Sequence, residues 1–172
     1  MDQKQKRLFI IKNIIYTLLM LCCYILQETP RLLEVFGVRP MLVIAVVVCI
    51  AMFEGEFFGG IYGLFAGILC DTAAFHFFGI ASVLFLILGC GCGLLIIYLV
   101  QPNRRTAFLL TAAFSFVYGI ISHYLIYGMW GYEGASMRFL TRIVPCAIYT
   151  AAASVLIYML MTRILPRFTP EE

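Results

Sequence analysis

Residues 55–71 read GEFFGGIYGLFAGILCD. Gly55, Gly59, Gly63 and Gly67 recur at every fourth position, and Asp71 falls on the next step of the same period. Residues four apart share one face of an α-helix, so this stretch presents a stripe without side chains that ends in a carboxylate. Its flanks, Phe57, Phe58, Ile61, Leu64, Phe65, Ile68 and Leu69, are large and apolar. In a soluble helix each such glycine costs about 0.8–1.0 kcal/mol relative to alanine. Within a bilayer, small residues at this spacing let a second backbone approach closely, which offsets that cost. The stretch therefore predicts a membrane helix built for close packing, with one ionisable group at its end.

Composition carries this reading outward to the whole chain. The 172 residues are 63% hydrophobic and 12% charged, with a mean hydropathy of +1.01. Soluble domains are about 45–50% apolar and about 25% charged, so the class is a multi-pass helical membrane protein. A spanning helix needs about 20 mostly apolar residues. The apolar runs predict about six helices in a single transmembrane domain covering residues 1–172, at about 8–26, 40–53, 57–70, 80–100, 107–127 and 139–165. The second and third are short and are either two short spans or a re-entrant hairpin. Irregular backbone at membrane depth is tolerated only where protein covers it or where it lines a cavity. Gly89, Gly91 and Gly93 in the fourth helix make a second close-packing site. Pro40 suits the first turn of the second helix, and Pro145 predicts a kink in the last.

Charge sets the expected orientation. With six crossings, one side holds Lys4, Lys6, Arg7, Lys12, Arg104, Arg105, Arg163 and Arg167, and the other holds Arg31, Arg39, Arg138 and Arg142. The positive-inside rule then places both termini in the cytoplasm. No cleavable signal is expected, because the first apolar run is too long and lacks a small-residue cleavage site. The net charge of +3 is too small and too dispersed to suggest nucleic acid.

In that topology Asp71, Arg39, His76, His123, Arg138 and Arg142 gather towards the outer side. A carboxylate at membrane depth is expensive and usually paired, so Asp71 is expected to pair with Arg39, or else with Arg142 or His76. Such a group is either a polar site at the outer mouth of the bundle or a lock holding the second and third helices in register. Glu54 and Glu56 read as a solvated inner turn, and Lys12 as a snorkelling residue at the membrane edge.

Catalytic and metal-binding classes find little support. The seven cysteines, Cys22, Cys23, Cys49, Cys70, Cys90, Cys92 and Cys146, sit in or at the ends of apolar runs, which suits small packing residues rather than a disulfide framework or a zinc site. His76 and His123 are single and far apart. Ser82, Ser115, Ser122 and Ser154 lack a nucleophile-elbow context. No glycine loop with a lysine is present to cradle phosphate. The expectation is a protein that is not an enzyme, with no catalytic, cofactor or metal site.

The order of motifs resembles the MreD family of bacterial rod-shape-determining integral membrane proteins. Val38-Arg39-Pro40 leads into an apolar helix, G-x-x-x-G-x-x-x-D follows at Gly63, Gly67 and Asp71, and Gly79 stands eight residues later. The short basic loop Asn103-Arg104-Arg105 and the Pro145 region also fit; Arg142 ahead of the proline matches no firm expectation of the family. The resemblance implies a fold similar to the substrate-binding subunits of energy-coupling-factor transporters. It implies a non-enzymatic member of the cell-elongation machinery in the cytoplasmic membrane, surrounded by lipid. Its partner would be an MreC-like single-span protein, acting with MreB, RodA and a class B penicillin-binding transpeptidase in lateral peptidoglycan synthesis. The same fold supplies an alternative, a small-solute binding subunit of a transporter. The glycine faces, Gly55, Gly59, Gly63 and Gly67 with Gly89 and Gly93, serve either packing within the bundle or docking of a partner helix. Pro40, Gly79 and Pro145 are expected to shape helix ends.

Overall fold

The computed structural model describes residues 3–29, 39–73, 79–124 and 143–164. Among them six helices follow one another: α1 (Gln3–Glu28), α2 (Leu42–Glu54), α3 (Glu56–Ala73), α4 (Ile80–Tyr98), α5 (Arg104–His123) and α6 (Val144–Ile164). No strand occurs among the described residues. Four segments, Lys6–Glu28, Ile80–Tyr98, Arg104–Ser122 and Val144–Ile164, are long and apolar enough to cross a membrane. The protein is an all-α, multi-pass membrane bundle, as its composition dictates.

Polar contacts fix the direction of each helix. Tyr16 of α1 donates to Glu54 at the end of α2, while the amide of Val43 at the start of α2 donates to Gln27, so α1 and α2 are antiparallel. Gly55 breaks the chain between α2 and α3 with φ +85°. Such a φ suits glycine because a Cβ clashes there. The stripe therefore begins outside the helix, and Gly55 acts as the turn. The Tyr158 hydroxyl donates to the Pro102 carbonyl at 3.0 Å, bringing the end of α6 to the α4–α5 connection. One end of the bundle thus collects Lys6, Arg7, Lys12, Arg104, Arg105 and Arg163, and we call it the basic end.

The core is built around α2. Every residue from Leu42 to Met52 is buried, and α2 packs against each of the other five helices. Its 13 residues span only about 20 Å, short of the roughly 30 Å hydrocarbon core. The shortfall is tolerated because protein, not lipid, surrounds it. Its sequence, LVIAVVVCIAMFE, is rich in β-branched residues that disfavour helix in water. In an apolar surround the helix is the way to satisfy every backbone group within the segment. The sequence placed Pro40 in the first turn of this helix; it lies instead two residues before Leu42, and it is buried. Pro145 is the second residue of α6 as described, where a missing N–H is harmless; residues 139–142, upstream of the expected kink, lie outside the described residues.

The glycines bring α3 and α4 together as an antiparallel pair. A Cβ added at Gly63 would collide with the Phe85 carbonyl, one at Gly67 with the Ser82 backbone, and one at Gly93 with the Glu56 backbone. A Cβ at Gly59 would lie 2.7 Å from the Gly89 carbonyl oxygen and 2.6 Å from the Ala51 Cβ. Gly89 meets the Gly59 backbone in turn. At these positions the glycine faces pack within the bundle, the first of the two uses the sequence left open. Gly91 points elsewhere, with nothing within 4 Å of its added Cβ.

Candidate functional site

Two polar clusters lie inside the bundle, at opposite ends. The first forms where the glycine seam closes. Because Gly67 rests on Ser82, the first turn of α4 is drawn onto the last turn of α3. Asp71 then faces the unpaired amides that every helix N-terminus presents. Its Oδ2 accepts from the backbone N–H of Gly79 at 3.0 Å, from the N–H of Ser82 at 3.0 Å and from the Ser82 hydroxyl at 2.5 Å. Its Oδ1 accepts from the N–H of Ala81 at 3.1 Å. Gly79 makes this possible with φ +103°. The carboxylate, only 4% exposed, is thus a cap supplied from the preceding helix, and the positive end of the α4 dipole favours its charge.

An ion pair with Arg39, or else with Arg142 or His76, was expected; among the described residues the hydrogen bonds of Asp71 run to Gly79 and the first turn of α4. Arg39 lies at the start of α2, where its carbonyl accepts from the Cys146 thiol at 3.1 Å. The lock therefore joins α3 to α4 rather than α2 to α3. His76 and Arg142, the other expected partners, lie outside the described residues.

The second cluster lies near the basic end, and sequence reasoning missed it. Glu54 ends α2, where the helix dipole disfavours a negative charge. Lys12 of α1 meets it at 2.5 Å, with side chains only 17% and 11% exposed. The Tyr16 hydroxyl donates to the same carboxylate oxygen at 2.7 Å. Tyr62 of α3 packs edge-on against Tyr16, with ring centroids 5.8 Å apart. The Tyr62 hydroxyl reaches the Asn13 carbonyl at 3.1 Å and Asn13 Oδ1 at 3.4 Å. So Glu54 is no solvated turn, and Lys12 does not snorkel away from the bundle. The overlooked signal was a helical face: Lys12, Tyr16, Met20 and Cys23 fall at spacings of four, four and three, and the last three are buried.

The amino end of α2 is capped by its neighbours. Met41, at its N-cap position, supplies no side-chain cap. Its amide donates to Thr150 Oγ1 of α6 at 3.0 Å, and the amide of Val43 to Gln27 Oε1 of α1 at 3.3 Å. The buried thiols of Cys49 and Cys92 lie against the carbonyls of Ser154 and Val48. The polar groups of these clusters are spent on fastening helices to each other.

The architecture defines a class: an integral membrane bundle whose described residues form six helices and no extramembrane domain. Within that class, the family described as rod shape-determining protein MreD matches residues 7–168, nearly the whole chain, and the chain belongs to that family. The Arg39–Gly79 pattern that suggested it lies inside the matched region. No curated protein and no solved structure matches the chain. The likeness to transporter subunits accordingly rests on the family resemblance alone.

Proposed function

We propose that this member of the family is a non-enzymatic scaffold of the cell-elongation machinery in the bacterial cytoplasmic membrane. In this reading it binds an MreC-like single-span protein, and through it acts with MreB, RodA and a class B penicillin-binding transpeptidase in lateral peptidoglycan synthesis. One observation carries the reading: the buried carboxylates are consumed internally, Asp71 by the α4 amides and Glu54 by Lys12 and Tyr16. What remains for others to meet is the outer surface of the helices. The basic end, with Lys6, Arg7, Arg104, Arg105 and Arg163, faces the cytoplasm by the positive-inside rule, so the amino terminus lies inside.

Against the rival reading, a solute-binding subunit, weigh the four hydrogen bonds that Asp71 accepts among the described residues and the buried α2 at the centre of the bundle. Co-expression with an MreC-like protein, followed by purification in detergent, tests the proposal. A stable complex with an independently folded partner is the expected result. If both proteins are folded and no complex forms, the scaffold reading is wrong.

A further inference from the structure

The outer face of α1 leaves about 470 Å³ of open space along that one helix, beside Ile10, Asn13, Ile14, Thr17, Leu18 and Leu21. The apolar members are lipid-facing in character: Ile10, Ile14 and Leu18 are 56%, 59% and 62% exposed. Asn13 is the anomaly. Its oxygens face the Tyr62 hydroxyl, and among the described residues its amide nitrogen meets no acceptor. Two N–H donors are thus left open on an apolar surface.

Depth decides what can satisfy them. The middle of the Lys6–Glu28 span is residue 17, so Asn13 sits about 6 Å from mid-span at 1.5 Å per residue. Lipid ester and phosphate oxygens lie beyond the hydrocarbon core, about 15 Å from its centre. An asparagine side chain is too short to bridge that difference. The acceptor must come from protein, as a polar side chain or a carbonyl bared by a small residue. Charge decides which protein. Two copies of this chain in the same orientation would set the exposed Lys6 and Arg7 of one beside those of the other, an unfavourable meeting of like charges.

We propose that this α1 face is the docking site for a single transmembrane helix of another protein, one that presents a hydrogen-bond acceptor at the depth of Asn13 and an acidic flank beside Lys6 and Arg7. The inference rests on the scaffold reading and deepens it, by placing the partner's helix on α1 rather than on the glycine seam.

Energy transfer between the labelled full chain and a labelled full-length MreC-like protein, reconstituted together in phospholipid vesicles, tests it. Asn13→Leu is expected to weaken association about 3- to 30-fold, the range that an intramembrane hydrogen bond supports. Ile14→Trp, which adds bulk at an exposed position of that face, is expected to weaken it at least as much. Asn13→Gln, which keeps the amide, and Leu109→Trp, on the exposed face of α5, should stay within about twofold of wild type, a change of about 0.4 kcal/mol. Should Asn13→Leu fail to fold, Ile14→Trp alone decides the matter. Undiminished association in Asn13→Leu and Ile14→Trp overturns the site and leaves the scaffold reading standing. Self-association that is lost in Asn13→Leu also overturns it, in favour of a second copy. No association of the wild-type pair overturns both.

Discussion

The same chemical change at two glycines should move stability in opposite directions. Gly63 and Gly91 both lie inside helices, α3 and α4. Replacing either with alanine gains helix propensity worth about 0.8–1.0 kcal/mol on the soluble scale. At Gly91 the added methyl meets nothing within 4 Å, so the gain stands alone. At Gly63 the methyl would overlap the Phe85 carbonyl oxygen and carbon, which are helix backbone and cannot rotate away. The pair must spread, and overpacking of this kind costs typically about 1–3 kcal/mol. The separation also forfeits dispersion contacts along the rest of the seam, from Gly59–Gly89 to Gly67–Ser82. Once propensity is subtracted the net loss at Gly63 comes to about 0–2 kcal/mol from overpacking, to which the forfeited contacts add. With about 2–4 °C per kcal/mol for a chain of this length, thermal unfolding in detergent should show Gly91→Ala raised by a few degrees and Gly63→Ala lowered by a few. A Gly63→Ala protein that gains stability like Gly91→Ala would show that α3 and α4 do not touch there.

Asp71→Ala removes the acceptor for three backbone amides and should cost about 3 kcal/mol or more, since each orphaned donor carries about 1–3 kcal/mol; Asp71→Asn, which keeps one acceptor oxygen, should lose less than Asp71→Ala in the same melting assay. Lys12→Met leaves Glu54 buried beside Tyr16 without its cation, and removing one partner of a buried pair costs about 3–5 kcal/mol. The double variant Lys12→Met, Glu54→Gln should recover part of that loss, and a double-mutant cycle that shows simple additivity would mean the pair is not coupled.

The legible parts of this fold were the ones with a local signal. Unbroken apolar length marks α1, α4, α5 and α6, and the four-residue glycine period marks the interacting face of α3. Asp71 was recognisable as a carboxylate needing partners, because a charge at that depth is costly. Its partners were not recognisable. They are backbone amides eight to eleven residues later, and an amide has no letter in a sequence, whereas Arg39 does. The Lys12–Glu54 pair was hidden differently. Its members stand 42 positions apart, and only the antiparallel register of α1 on α2 brings them together. Beside Gly55, Glu54 looked like part of a turn, and turns are usually solvated.

The central helix depends on helices distant from it in sequence, and one hydroxyl tests that dependence. From Leu42 to Phe53, α2 has no side chain able to cap its own amino end, and lipid offers no acceptor. Thr150, fully buried on α6, accepts from the Met41 amide and donates to the Cys146 carbonyl at 2.7 Å. Thr150→Val preserves shape and removes the acceptor, leaving the Met41 amide to bear a desolvation cost of about 1–3 kcal/mol. The unfolding temperature should fall by about 2–12 °C, and by less in Thr150→Ser, which keeps the hydroxyl. If Thr150→Ser, which loses only the methyl, lowered it as much as Thr150→Val, packing at this site would weigh as much as the hydroxyl, and the cap would not be the dominant contribution. If neither lowered it, α2 would be held by apolar contact alone. The borrowed cap would then be a consequence of α6 closing over the bundle, and not one of the reasons it closes there.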